Sequence, residues 1–186
     1  MTGEETHHSV SVAGVVIDED GRALIIQRRD NAHWEPPGSV LERNETVTDG
    51  LLREIKEETG LTVEPVALTG IYKNMSRGII ALVFKCRAIG GKLTENPEVA
   101  GFRWVREADV CSLMSEAYAV RVLDAFQSRA APAVREHDGV NLLVPAGGAK
   151  GTLTTFGLDP ELPPGPSLTP AKRCPPWGDA RQSSAN

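Results

Sequence analysis

Glu54, Glu57 and Glu58 are the residues of this 186-residue chain whose types and spacing speak most directly of chemistry. At i, i+3 and i+4 of a helix their carboxylates share one face. Such crowding is costly: at ~6 Å and an effective dielectric near 20, each pair repels by on the order of 3 kcal/mol. The cluster also falls toward the end of the helical segment, where the macrodipole favours positive groups. A glutamate-rich helix face is more often a solvated surface, but this local conflict with stability hints at function. Hard oxygen donors at this density suit Mg²⁺ or Mn²⁺, and Mg²⁺ in particular keeps waters and recruits substrate phosphates.

The elements around the cluster follow from pattern. Residues 46–59 form the most strongly marked helix, with Val47, Leu51 and Ile55 at i, i+4 and i+8 on a second, apolar face. Thr46 or Thr48 can cap its start, and Thr59-Gly60 ends it. Residues 10–18 and 23–28 are rich in β-branched or aliphatic side chains about an Asp-Glu-Asp-Gly turn, which predicts a β-hairpin. Pro36, Pro37 and Gly38 punctuate a loop over 31–44. Strands are expected at 63–72, 78–87 and 102–105, a second amphipathic helix at 117–128, and a last strand within 134–144. The order β-β-loop-α-β-β-β-α implies a mixed α/β (α+β) architecture, a central sheet with helices against it.

The residues 39–61 resemble the Nudix box, G-x5-E-x7-R-E-U-x-E-E-x-G-U with U aliphatic. Glu45 takes the first glutamate, and Arg53-Glu54-Ile55-Lys56-Glu57-Glu58-Thr59-Gly60-Leu61 matches the remainder in full. Trp34-Glu35-Pro36-Pro37-Gly38 likewise resembles the W-x-x-P-G lead-in of that family. The resemblance implies a Nudix-type α/β/α sandwich with a central mixed sheet. It also implies hydrolysis of a nucleoside diphosphate linked to another moiety, with water attacking phosphorus and Mg²⁺ or Mn²⁺ as cofactor. By the same resemblance Glu54, Glu57 and Glu58 hold metal and one of them helps to activate water. Arg53 orients a glutamate of the box, Glu45 and Gly60 support its loop-helix frame, and Gly38 can offer a backbone carbonyl to the metal. Arg28, Arg29, Trp34, Tyr72, Arg77 and Glu98 are candidates for substrate contact or assistance, from their types and their places near the box.

One position departs from the pattern. Where the box opens with glycine this chain has Ser39. A requirement for positive φ there would cost on the order of 1 kcal/mol. That departure motivates the alternative of a catalytically weak Nudix-fold sensor or regulator that binds a nucleotide.

Bulk properties narrow the partners. Lys and Arg number 20 against 25 Asp and Glu, a net charge of −5, which argues against nucleic acid and leaves a small phosphorylated nucleotide-type substrate as the expected partner. No run approaches the ~20 apolar residues of a membrane helix, and the first ten residues lack the basic-then-apolar order of a secretory leader, so a cytoplasmic protein is expected. A homodimer is left open. Cys86, Cys111 and Cys174, without any C-x-x-C pair, fit neither a disulfide framework nor a zinc site; two core thiols and one in the tail are expected. Residues 1–9 are expected as a flexible N-terminus and 10–144 as the Nudix domain. Residues 145–186, with eight of the thirteen prolines, are expected as a disordered tail.

Overall fold

The computed structural model describes residues 7–143; the expected 145–186 tail and most of the expected flexible N-terminus lie outside the described residues. In chain order the elements are β1 (Ser9–Val16), β2 (Ala23–Arg28), β3 (Trp34–Glu35), β4 (Gly38–Val40), α1 (Val47–Thr59), β5 (Leu61–Asn74) and β6 (Ile79–Gly91). There follow β7 (Val99–Val105), a 3₁₀ turn at Glu107–Asp109, α2 (Val110–Leu113), α3 (Glu116–Phe126) and β8 (Ala133–His137). The strands make two sheets. A five-stranded mixed sheet runs β4-β1-β6-β5-β8, with β1 parallel to β6 and β5 parallel to β8. A three-stranded antiparallel sheet runs β3-β2-β7.

The alternation of side chains along the strands explains why both faces of the large sheet are covered. In β1, Val12 and Val16 join Leu51 and Ile55 of α1 in one apolar cluster. Ala13 and Val15 on the opposite face join Val120 and Leu123 of α3 in another. The expected sandwich with a central mixed sheet is therefore the observed one.

Two expectations need correction. β1 and β2 do not form a hairpin: beyond the turn closed by the Asp18 carboxylate on the Arg22 amide, they share only the bridge between Ile17 and Ala23. The reason is that β4 and β6 take both edges of β1, so β2 has no edge to join and builds a second sheet with β7. The cysteine reading also changes. Cys86 is a free buried thiol, pushed up to about 12 by burial, whereas Cys111 is disulfide-bonded rather than a free core thiol. No helix among the described residues is long and apolar enough to cross a membrane.

Candidate active site

Helix α1 presents the acidic face on a well-capped frame. Thr46 accepts the amide of Asp49 at the N-terminus, and Gly60, left-handed at φ 78°, closes the C-terminus with its N–H on the Lys56 carbonyl. On the exposed side of the helix, Arg53 binds four carboxylate oxygens. Its Nε and Nη2 donate to Glu45 at 2.9 and 2.7 Å, and its Nη1 donates to Glu54 at 2.8 Å and Glu57 at 3.1 Å. Arg53 thus ties the loop before the helix to two of the three clustered glutamates.

Glu58 faces inward and is only 3% exposed. Its Oε2 accepts the amide of Gly38 at 2.6 Å, which joins the end of α1 to the start of β4. Burial pushes the Glu58 carboxyl up to about 8; nearby Glu54 and Glu35 add to the rise, while the Gly38 amide and Arg28 oppose it. Glu54 is raised as well, first by burial and then, against Arg53, by the charges of Glu57 and Glu98. The Glu98 carboxylate thus lies within electrostatic range of the acidic helix. Its loop is held by Asn96, whose Nδ2 donates to the Glu58 carbonyl and whose Oδ1 accepts the amides of Glu98 and Val99.

Among the described residues no three His, Cys, Asp or Glu side chains already converge on one point. The hydrogen bonds explain this: Arg53 draws one oxygen each of Glu54 and Glu57 toward itself, and Gly38 holds one of Glu58. Glu54 Oε2, Glu57 Oε1 and Glu58 Oε1 carry no such bonds. An all-oxygen donor set, with two members, Glu54 and Glu58, so buried that their charge is disfavoured, is chemically suited to a hard divalent cation.

The conformational demand at the head of the box falls on Gly38, not Ser39. Gly38 sits at φ 147°, and a Cβ there would run into the Val12 carbonyl oxygen and the Ala13 backbone of the neighbouring strand. Ser39 pairs with Val12 as an ordinary strand residue, and Ala32 is the one non-glycine residue at positive φ among those described. Gly38→Ala is therefore expected to cost about 2–3 kcal/mol and to lower the melting temperature by roughly 5–10 °C. A thermal scan showing no change would mean that β4 adapts freely to the side chain.

The other candidates separate. Arg28 pairs with Asp30 at 3.0 Å and faces Glu35 at 3.6 Å, and it lines a cavity of about 310 Å³ that opens beside Gly38. Glu35, Arg77, Tyr118 and Arg121 line the same cavity. Arg29 instead spends its guanidinium on the carbonyls of Pro97 and Val99, bracing the Glu98 loop. Trp34 packs on the core beneath Arg103, whose guanidinium carbon stands 5.1 Å from the ring centroid. Tyr72, expected as a substrate contact, is corrected to a core residue: it is fully buried and donates its hydroxyl to Asp124 at 2.8 Å. The alternation of β5 turns its ring toward α3. Glu35, Asn96, Tyr118 and Arg121 were not singled out by sequence. Glu35 stood in plain view inside the W-x-x-P-G lead-in; the two α3 residues lay on a helix read only for its apolar face.

Comparison with known proteins identifies the family. The family model described as the NUDIX domain matches residues 7–126. A MutT-like protein of Streptomyces ambofaciens is 53% identical over 140 residues, covering 75% of this chain and 90% of that protein. An ADP-ribose pyrophosphatase of Methanocaldococcus jannaschii is 38% identical over 94 residues, 47% of this chain and 55% of that protein. Among solved structures, an ADP-ribose pyrophosphatase from Streptococcus suis superposes with a TM-score of 0.60 at 20% identity, over 69% of this chain and 99% of that one. At that identity the superposition speaks for the fold alone. With a family match over more than half of its length and a relative sharing half its residues along nearly that protein's whole length, the chain belongs to the Nudix family of hydrolases.

Proposed function

We propose that this Nudix hydrolase cleaves the diphosphate of a nucleotide-type substrate with Mg²⁺ or Mn²⁺ held by Glu54, Glu57 and Glu58. The observation that carries the reading is the acidic face of α1, where Glu54 and Glu58 are buried beside Glu57 and are held by Arg53 and the Gly38 amide. The Glu58 carboxyl, held up at about 8 by burial beside Glu54 and Glu35, is a concentration of disfavoured negative charge that a divalent cation relieves. When bound, such a cation supplies charge neutralisation for the diphosphate and a lowered pKa for an attacking water. The chain's own groups do the rest. Arg53 holds Glu54 and Glu57 from one side and the Gly38 amide holds Glu58 from the other; the charge of Glu98, felt at Glu54, supports a role for it in taking a proton or assisting the metal. The cavity beside Gly38 accommodates the nucleoside part.

Relatives named as an ADP-ribose pyrophosphatase and as 8-oxo-dGTP diphosphatases support a nucleotide substrate. The sensor alternative rested on Ser39, and the unstrained strand geometry there removes its motive. A panel of nucleoside diphosphate derivatives and triphosphates, assayed with Mg²⁺ and with Mn²⁺, tests the proposal. Metal-dependent release of nucleoside monophosphate is expected from the wild type, with Glu57→Gln reduced by roughly 100-fold or more. Equal background release from both proteins, with nucleotide still bound, would return the reading to a sensor.

A further inference from the structure

The segment between β6 and β7 carries Glu98 and is stitched to the end of α1. The last carbonyls of a helix have no partner within it and are left to water or to other groups. Here Glu58 and Thr59 give theirs to this segment. Asn96 Nδ2 donates to the Glu58 carbonyl at 2.7 Å, and the Thr94 amide donates to that of Thr59 at 3.1 Å. The other end of the Asn96 side chain turns back on its own loop, where Oδ1 accepts the amides of Glu98 and Val99, both at 3.0 Å. One side-chain amide therefore links the backbone of Glu58 to the backbone of Glu98. Its chemistry is specific to asparagine: the oxygen meets two donors and the nitrogen meets an acceptor. An aspartate would set a carboxylate oxygen against the Glu58 carbonyl, and an alanine would meet neither.

Arg29 grips the same loop from β2. Its amide donates to the Glu98 carbonyl at 2.8 Å, and its Nε and Nη2 donate to the carbonyls of Pro97 and Val99 at 3.0 and 2.9 Å. A register shift between Gln27 and Arg28 falls immediately before it, an irregularity of the kind that re-aims side chains at the end of a strand. Its sequence neighbours Arg28 and Asp30 line the cavity beside Gly38, and Arg29 does not. The fork that would grasp a phosphate is already engaged with backbone. Surface loops are ordinarily the mobile parts of a fold. This one is pinned on both sides of an exposed carboxylate whose charge raises that of Glu54.

We propose that Asn96 and Arg29 are positioning residues for the hydrolysis, which between them hold Glu98 where it acts on the acidic end of α1. This rests on the role given to Glu98 above. A group that takes a proton or assists a cation works within hydrogen-bond reach, and a displacement of about 1 Å can cost roughly 100-fold. A double-mutant cycle in the full chain with Mg²⁺ tests this, on whichever nucleotide of the panel above the wild type cleaves fastest. Asn96→Ala is expected to lower kcat by roughly 10- to 100-fold with KM within about twofold, and Glu98→Gln to lower it at least as far. The double variant should be no more than about twofold slower than Glu98→Gln alone, because no carboxylate is left to position. Arg29→Met should behave in the same way in its own cycle with Glu98→Gln. Amide exchange in the metal-free protein gives a readout apart from turnover. In Arg29→Met the Glu98 and Val99 amides keep their acceptor on Asn96, yet they are expected to exchange roughly tenfold faster, while those within α1 keep their wild-type rates.

Losses that multiply in the double variants overturn the proposal. So does unchanged exchange in Arg29→Met, or a raised KM with kcat intact, which would make Arg29 a substrate ligand. Should Asn96→Ala not fold, Arg29→Met decides by the same cycle. A Glu98→Gln variant with wild-type kcat removes the role of Glu98 and the proposal with it. Absence of metal-dependent hydrolysis by the wild type removes the whole catalytic reading, whereas multiplying losses beside a slow Glu98→Gln remove the positioning alone.

Discussion

Glu58→Gln is expected to abolish turnover while making the metal-free protein more stable. Loss of a residue that only orients a metal ligand costs about 10–100-fold, so removing a proposed ligand itself should cost at least about 100-fold in metal-dependent hydrolysis. Stability should move the other way. The Glu58 carboxyl stands at about 8 in the folded chain, above its unfolded value, because burial disfavours its charge. A raised acid contributes stability that is fully present below the unfolded pKa and is lost as pH rises through the folded one. The wild type in a chelator should therefore weaken between about pH 4.5 and 8, by at most on the order of 5 kcal/mol. Glutamine keeps an oxygen to accept the Gly38 amide and carries no charge, so it should flatten that decline. Urea titrations of both proteins across the window, without metal and with excess Mg²⁺, make the test. A variant that unfolds sooner than wild type at pH 8 in chelator, or one that turns over normally, would sink the assignment of Glu58.

The largest loss of stability is expected from Asp124→Ala, outside the acidic helix. Asp124 is 1% exposed on α3 and accepts the Tyr72 hydroxyl at 2.8 Å from β5. It also accepts Arg135 Nε and Nη2 at 2.7 and 2.8 Å from β8, and Arg129 stands 3.3 Å away. One carboxylate therefore fastens the helix to the two strands at one end of the mixed sheet. Alanine would leave a buried hydroxyl and a half-buried guanidinium without their acceptor. Breaking a buried pair from one side costs about 3–5 kcal/mol. The urea midpoint should fall accordingly, and amide exchange should quicken first in β8, which stands beside β5 at the end of the mixed sheet among the described residues. Asp124→Asn, which retains an acceptor for Tyr72, should cost less than alanine does. A loss below about 1 kcal/mol in the alanine variant would show that water replaces the carboxylate at no great cost.

How much of this was legible in the sequence follows from the range over which each feature is set. The shared face of Glu54, Glu57 and Glu58, the capping by Thr46, the left-handed close at Gly60 and the reach of Arg53 back to Glu45 all lie within sixteen residues. Helical geometry alone decides them, because 3.6 residues per turn fixes which side chains are neighbours. The strands were legible as strands for the same local reason, but their partners were not. β1 and β2 are adjacent in sequence and belong to different sheets, since β4 and β6 had already taken the edges of β1. Tyr72 carries the chemistry of a binding residue, and only the pairing of β5 shows that it faces α3.

The glutamate cluster, the capped helix and the family pattern were thus determined by the order of residues along the chain. Tertiary structure decided the rest: that the demand for glycine falls on Gly38 beneath Val12, and that Asn96 brings Glu98 to the helix. Those relations join residues dozens of positions apart. They depend on which edges pair and which faces are covered, and no local spacing encodes that.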